Sequence, residues 1–151
     1  MASTCVQKSV YWLVVARKKG EDPAEVHDRA VTLAGYKNSE AAKLTKDALL
    51  RNLDIAEKLG CLDDVGLAAM RRGKAATVRK GLYKGDELSF DHIIPRAVVP
   101  ELDDVIANVE LMPLRMSESK NDKIGDRQRD IAKKFDQAEL VGLRPQDHPT
   151  C

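Results

Sequence analysis

The chain has 151 residues, with 25 Lys and Arg against 24 Asp and Glu, a formal net charge of +1, 43% hydrophobic content and only 4% aromatic content. At roughly 100–200 residues per domain, this length allows one domain, or one small domain with an added helical segment. The balanced charge excludes a chain-wide polycation, and the scarcity of aromatic side chains argues against a reader of single strands built on base stacking. A local basic patch on a neutral protein still serves nucleic-acid binding.

Cys5, Cys61 and Cys151 lie far apart and form no C-x-x-C pair, which suggests neither a disulfide framework nor a cysteine-built zinc knuckle. An odd cysteine count fits a reducing cytoplasm. The apolar stretch from Val10 to Ala16 is far shorter than the roughly 20 residues that span a bilayer. It runs directly into Arg17, Lys18 and Lys19 instead of a small-residue cleavage site, which argues against a signal peptide. These features lead us to expect a soluble, cytoplasmic protein with no membrane partner.

In chain order, Val6, Val10, Leu13 and Val14 fall at i, i+4, i+7 and i+8, the apolar stripe of a first helix. A second helix is expected to open at Asp22-Pro23, a cap followed by a first-turn proline, and to close at Gly35. A third, with Ser39 as its cap, runs to Gly60 with Leu49, Leu53 and Ala56 on one side. A fourth is expected from Asp63 to about Lys80, weakened by Gly66 and Gly73. After Gly81 the texture changes. Glu87 to Ile94 reads as a short strand stopped by Pro95, and Asn108 to Met112 as a second one ended by Pro113. The loop 96–107 separates them. A helix is expected from Met116 to Phe135, followed by a proline-containing tail. The organisation is therefore a helical segment over 1–80, a strand–loop–strand–helix unit over 81–138 and a tail over 139–151.

Asp91-His92 lies inside the first of these strands. Adjacent strand residues point to opposite faces, so the two side chains can share one site only where the strand ends or bulges, and Pro95 close behind favours such an end. A carboxylate is a hard oxygen ligand for Mg²⁺, and a neighbouring imidazole can take a proton from water near neutral pH. Taken alone, the dipeptide is equally a surface aspartate beside a structurally satisfied histidine. His27, in an expected surface helix, and His148, in the tail, have no cluster to join and read as bystanders.

Three strings in order, Asp91-His92-Ile93-Ile94-Pro95, Asn108-Val109-Glu110-Leu111-Met112-Pro113 and Lys120-Asn121-Asp122, together resemble the HNH (ββα-metal) nuclease family. The resemblance covers about Leu82 to Arg129, with Tyr83-Lys84-Gly85 similar to the lead-in of bacterial members, and leaves the helices before Gly81 unexplained. It implies an α+β, mostly helical fold: N-terminal helices followed by a ββα-metal motif with a short two-stranded hairpin. It implies Asp91 as metal ligand, His92 as general base, and Asn108 holding the His92 ring by a backbone or side-chain hydrogen bond. Mg²⁺ is the expected ion and Mn²⁺ a substitute, since the donors are oxygens with no thiolate.

The departure from the family pattern comes at the third position. Aligning Lys120 and Asp122 with the family's lysine and aspartate places Ser117 where an Asn or His ligand is expected. A serine hydroxyl is a short, weak ligand that Mg²⁺ reaches more readily through water; equally, Ser117 suits an N-cap. On one continuous helix, at about 100° per residue, Ser117, Asn121, Ile124, Gln128, Ile131 and Phe135 share an arc of about 80°. Asn121 would then offer its amide to the metal one turn below Ser117.

The same wheel puts Lys120, Lys123, Arg127 and Lys134 on one flank, a basic stripe suited to a phosphate backbone. Arg71, Arg72, Lys74, Arg79, Lys80 and Lys84 form a second basic stretch ahead of the strand, and Arg96 follows it. The sequence therefore leads us to expect a metal-dependent endonuclease hydrolysing double-stranded DNA, with the N-terminal helices contacting target or a protein partner, or packing on the nuclease core. The alternative is a degenerate HNH-fold protein that binds nucleic acid without cutting it. A helical interaction protein with an accidental Asp-His pair is a third reading; it would show no salt-sensitive affinity for duplex DNA.

Overall fold

The computed structural model describes residues 2–35, 39–95, 97–102, 105–120 and 125–138. The chain is mostly helical with one small two-stranded antiparallel sheet, an α+β arrangement. Helix α1 (Ala2–Lys18) buries the expected stripe of Val6, Val10, Leu13 and Val14. Helix α2 (Pro23–Ala34) starts as its sequence indicates: the Asp22 carboxylate accepts the Ala24 N–H at 3.1 Å, Pro23 fills the first turn, and Gly35 ends the helix in the left-handed region. Helix α3 (Ser39–Lys58) has Ser39 as its first helical residue, not as its cap. It buries Leu49, Leu53 and Ala56, and with them the polar Thr45 and Asn52.

Helix α4 (Asp64–Arg71) corrects an expectation, since it stops well before Lys80. Gly73 takes φ +71° and turns the chain out of the helix. Residues 76–78 then run extended beside the approach to the sheet: Leu88 N–H donates to Ala76 O, Val78 N–H to Asp86 O, and Thr77 bridges Glu87 antiparallel. Asp63 caps α4 by accepting the Gly66 N–H at 2.7 Å. Gly66 has no substitute here, because a Cβ would run into the Cys61 carbonyl.

Strand β1 (Leu88–His92) pairs with β2 (Val109–Pro113) in the register Leu88↔Pro113, Phe90↔Leu111, Asp91↔Glu110 and His92↔Val109. Both strands are shorter or shifted relative to the sequence reading: Ile93 and Ile94 bend away from β1, and Asn108 belongs to a 3-10 turn (Ile106–Asn108). Helix α5 (Leu114–Ser119) follows β2 at once, and α6 (Asp126–Gln137) comes after it. The expected continuous helix over 116–135 is therefore broken. Lys120 leaves helical geometry at φ −73°, ψ 151°, and α6 opens afresh after an extended Gly125 whose N–H donates to Gln128 Oε1. Angular relations computed across that break do not hold.

The main core joins the two halves of the chain. Val6, Val10 and Leu13 of α1, Leu49 and Leu53 of α3 and Met70 of α4 pack with Leu88, Val109 and Leu111 of the sheet. A second cluster gathers Ala41, Ile94, Leu102, Val105, Ala107 and Phe135. Two buried amides reinforce the junction: Gln7 Nε2 donates to Leu88 O at 3.4 Å, and Asn52 bonds Val109 O and Leu111 N–H at 3.0 and 2.9 Å. His27 is buried, not on a surface; burial lowers its pKa, with Asp28 beside it acting in the opposite direction. Cys5 is disulfide-bonded while Cys61 is free and buried, so the cysteine count carries no argument about compartment. Among the described residues no helix is long and apolar enough to cross a membrane.

Candidate active site

Asp91 sits near the end of β1 directly across from Glu110. Cross-strand partners share a face, so two carboxylates stand side by side and need counter-charges. Both receive them. Asp91 Oδ2 lies 2.6 Å from Lys120 Nζ, with both side chains about a quarter to a third exposed. Glu110 takes both ends of the Arg127 guanidinium at 2.9 Å, and Arg51 Nε approaches it at 3.7 Å. The hydrogen bonds to Glu110 raise the Arg127 pKa, while burial lowers that of Arg51.

His92 is the last residue of β1. Its ring meets that of Phe90 edge-on, centroids 5.7 Å apart with planes at 76°. Phe90 and His92 are two residues apart and share a face, so alternation sends the imidazole and the Asp91 carboxylate out of the strand on opposite sides. The bend that follows is held by Asn108, which is fully buried. Its backbone carbonyl accepts the Ile93 N–H, its Oδ1 accepts the Ile94 N–H at 2.8 Å, and its Nδ2 donates to Ile94 O at 3.0 Å and Leu102 O at 3.5 Å. Its bonds run to the loop backbone, and they fix where the residues just after His92 go.

Ser117 is the fourth residue of α5, so it is no N-cap; its hydroxyl donates to Phe90 O at 3.4 Å and ties α5 to β1. Asp86 makes a second tie, accepting the Arg115 backbone N–H at 3.0 Å and Nε at 2.7 Å. Asn121, Lys123 and Arg96 lie outside the described residues. Of the other expected phosphate contacts, Lys120 and Arg127 are ion-paired as above and Arg79 pairs with Asp63 at 3.3 Å. The Lys80 stem packs against Gly60, and Lys84 is exposed in the turn before β1. Of the basic stripe expected on one long helix, Lys120 and Arg127 are thus tied into separate ion pairs and Lys134 is exposed on α6.

The structure brings together Asp91, Lys120 and, through Phe90 O, Ser117. His92 leaves the end of β1 on the opposite face, with Phe90, and Asn108 holds the bend that follows it. Glu110 and Arg51 were missed in the sequence; once the hairpin register is drawn, a carboxylate facing Asp91 is the sign that paired cations must be nearby. Among the described residues no three His, Cys, Asp or Glu side chains gather. For a divalent cation, Asp91 supplies a hard oxygen donor of the right kind, and the Lys120 ammonium stands in as the positive charge it attracts. In comparisons with known proteins, no family model, no curated protein and no solved structure matches this chain.

Proposed function

We propose that this chain is an HNH-type endonuclease hydrolysing phosphodiester bonds of DNA. The observation that carries this reading is the Asp91–Lys120 contact. It joins the first strand of the hairpin to the end of the following helix, so that the first and third strings of the HNH-like pattern meet at one point. In this mechanism His92, which leaves β1 on the face opposite Asp91, has to reach around the strand end to take the proton from a water in line with the phosphorus. Asn108 positions it by fixing the bend behind it. Asp91, assisted by the Ser117 hydroxyl through water, would hold Mg²⁺ or Mn²⁺. When bound, the ion neutralises phosphate charge and stabilises the departing 3′-oxygen. The HNH resemblance implies 5′-phosphate and 3′-hydroxyl ends.

The test is plasmid nicking with Mg²⁺ or Mn²⁺ by the intact chain and by His92→Ala. Loss of a positioned general base is expected to slow cleavage by about 10²–10⁴-fold. A second reading, a degenerate HNH-fold protein that binds nucleic acid, is favoured by Ser117 bonding a carbonyl and by an ammonium already on Asp91. It wins if the unaltered protein is as inert as His92→Ala and still shifts duplex DNA.

A further inference from the structure

Lys120, Arg127 and Arg79 are held in ion pairs, but a group of cations on the helical segment is not. An open cavity of about 530 Å³ runs between α1 and α4. Tyr11, Val14 and Leu67 are among its apolar lining, and Lys18, Arg71 and Arg72 supply its positive charge. All three cations are exposed. None of them forms an ion pair among the described residues, whereas Arg17, Arg29, Arg79, Arg115 and Arg127 all do. One acid, Asp64, lines the same cavity. Lys8 adds a further exposed cation near the Arg72 end, its stem lying against Gly73.

We propose that this groove is a second nucleic-acid contact, binding the phosphodiester backbone of duplex DNA away from the Asp91-His92 hairpin. Three cations against one acid suit a polyanion. Arg71 and Arg72 are consecutive, so their side chains diverge by about 100° and spread over neighbouring phosphates; they do not converge on a single carboxylate. That divergence favours a nucleic-acid backbone over an acidic helix of a protein partner. Backbone contacts of this kind position the duplex and read no bases. The groove thus gives the helical segment a role in holding substrate, which the HNH-like strings do not supply.

The experiment measures binding of the full chain to a mixed-sequence DNA duplex by fluorescence anisotropy across a salt series, with chelator present so that binding is read apart from cleavage. Arg71→Gln/Arg72→Gln is expected to weaken binding at low salt by roughly tenfold. The slope of log affinity against log salt should fall by roughly 0.9 for each phosphate contact removed. Lys18→Gln should give a smaller loss of the same kind, and Arg29→Gln, a change at a paired cation on α2, none. Affinity and slope unchanged in the double variant overturn the proposal. So does a wild-type protein that ignores duplex but binds an acidic amphipathic helical peptide through the same arginines. Because cleavage is scored separately, an inert His92 centre beside an active groove is distinguishable from the reverse.

Discussion

The helices and the hairpin use polar side chains in opposite ways. In α1 and α3 the amides of Gln7 and Asn52 are almost wholly buried, and both bond sheet backbone. On the outer face of the hairpin, Asp91 and Glu110 keep contact with water and are matched by flexible cations. The first kind of contact specifies geometry, because a buried amide left without its partners is expensive. Of the second kind, the single Asp91–Lys120 contact is weak and exchangeable, while Glu110 is gripped by two bonds from Arg127. Asn52 acts where a third strand would: residues 109 and 111 turn their backbone groups away from β1, and the amide satisfies both. A two-stranded hairpin alone is marginal in water, so the helices supply the rigid base and the hairpin face supplies replaceable charge.

The largest effect expected from breaking this contrast is at Asn52. Asn52→Leu keeps size and adds hydrophobicity, yet leaves the Val109 carbonyl and the Leu111 N–H buried without partners. At about 1–3 kcal/mol for each of the two unsatisfied groups, the loss of stability is about 2–6 kcal/mol. Urea denaturation checks it. A loss below about 1 kcal/mol would mean that solvent reaches this edge and that the helices do not hold the hairpin through it.

Next in size is a pH effect from the buried core. Cys61 is inaccessible, and burial pushes its thiol up to about 11 from the ordinary 9.0, with Asp63 acting in the same direction. In the unfolded chain the thiol ionises first, so the folded state binds more protons between these values. The stabilisation is complete below about pH 9 and is lost progressively as pH rises to about 11. Denaturation midpoints measured across that window should fall, and Cys61→Ala should flatten the fall. The same burial leaves the thiol unreactive toward alkylating reagents in the folded protein at neutral pH.

Local signals were legible in the sequence and long-range ones were not. The stripe on α1, the Asp22-Pro23 start and Gly35 end of α2, and the two short strands all rest on neighbours within a few residues. The pairing of Asn52 with β2 joins residues 57 and 59 positions apart, and no local pattern announces it. Helix α4 ends early because residues 76–78 find backbone partners beside β1, a tertiary gain that outweighs local helical preference. At the candidate site, Asp91, His92, Asn108 and Ser117 were all singled out. Their contacts were harder to foresee, because the break at Lys120 re-aims the side chains of α6. On either side of that break, two members of the expected basic stripe are ion-paired instead, Lys120 with Asp91 and Arg127 with Glu110.

The smallest expected effect probes the exchangeable side of the contrast most directly. If Lys120 is a stand-in for a divalent cation on Asp91, the two compete, and removing the ammonium should favour the ion. Lys120→Met keeps the stem and discards the charge; Mn²⁺ affinity, read by the disappearance of its free-ion paramagnetic signal, should tighten by about two- to fivefold. That is the range corresponding to a partly exposed ion pair. Lys120→Arg should bind as the unaltered protein does, and Asp91→Asn should bind most weakly. Added salt should shrink the difference, since screening weakens the internal competitor. Unchanged or weaker Mn²⁺ binding in Lys120→Met would show that the lysine does not oppose the ion, and the Asp91–Lys120 contact would then be a fixed strut like those made by the buried amides. If no variant binds Mn²⁺, the carboxylate is no metal ligand, and the hydrolytic reading gives way to the binding one.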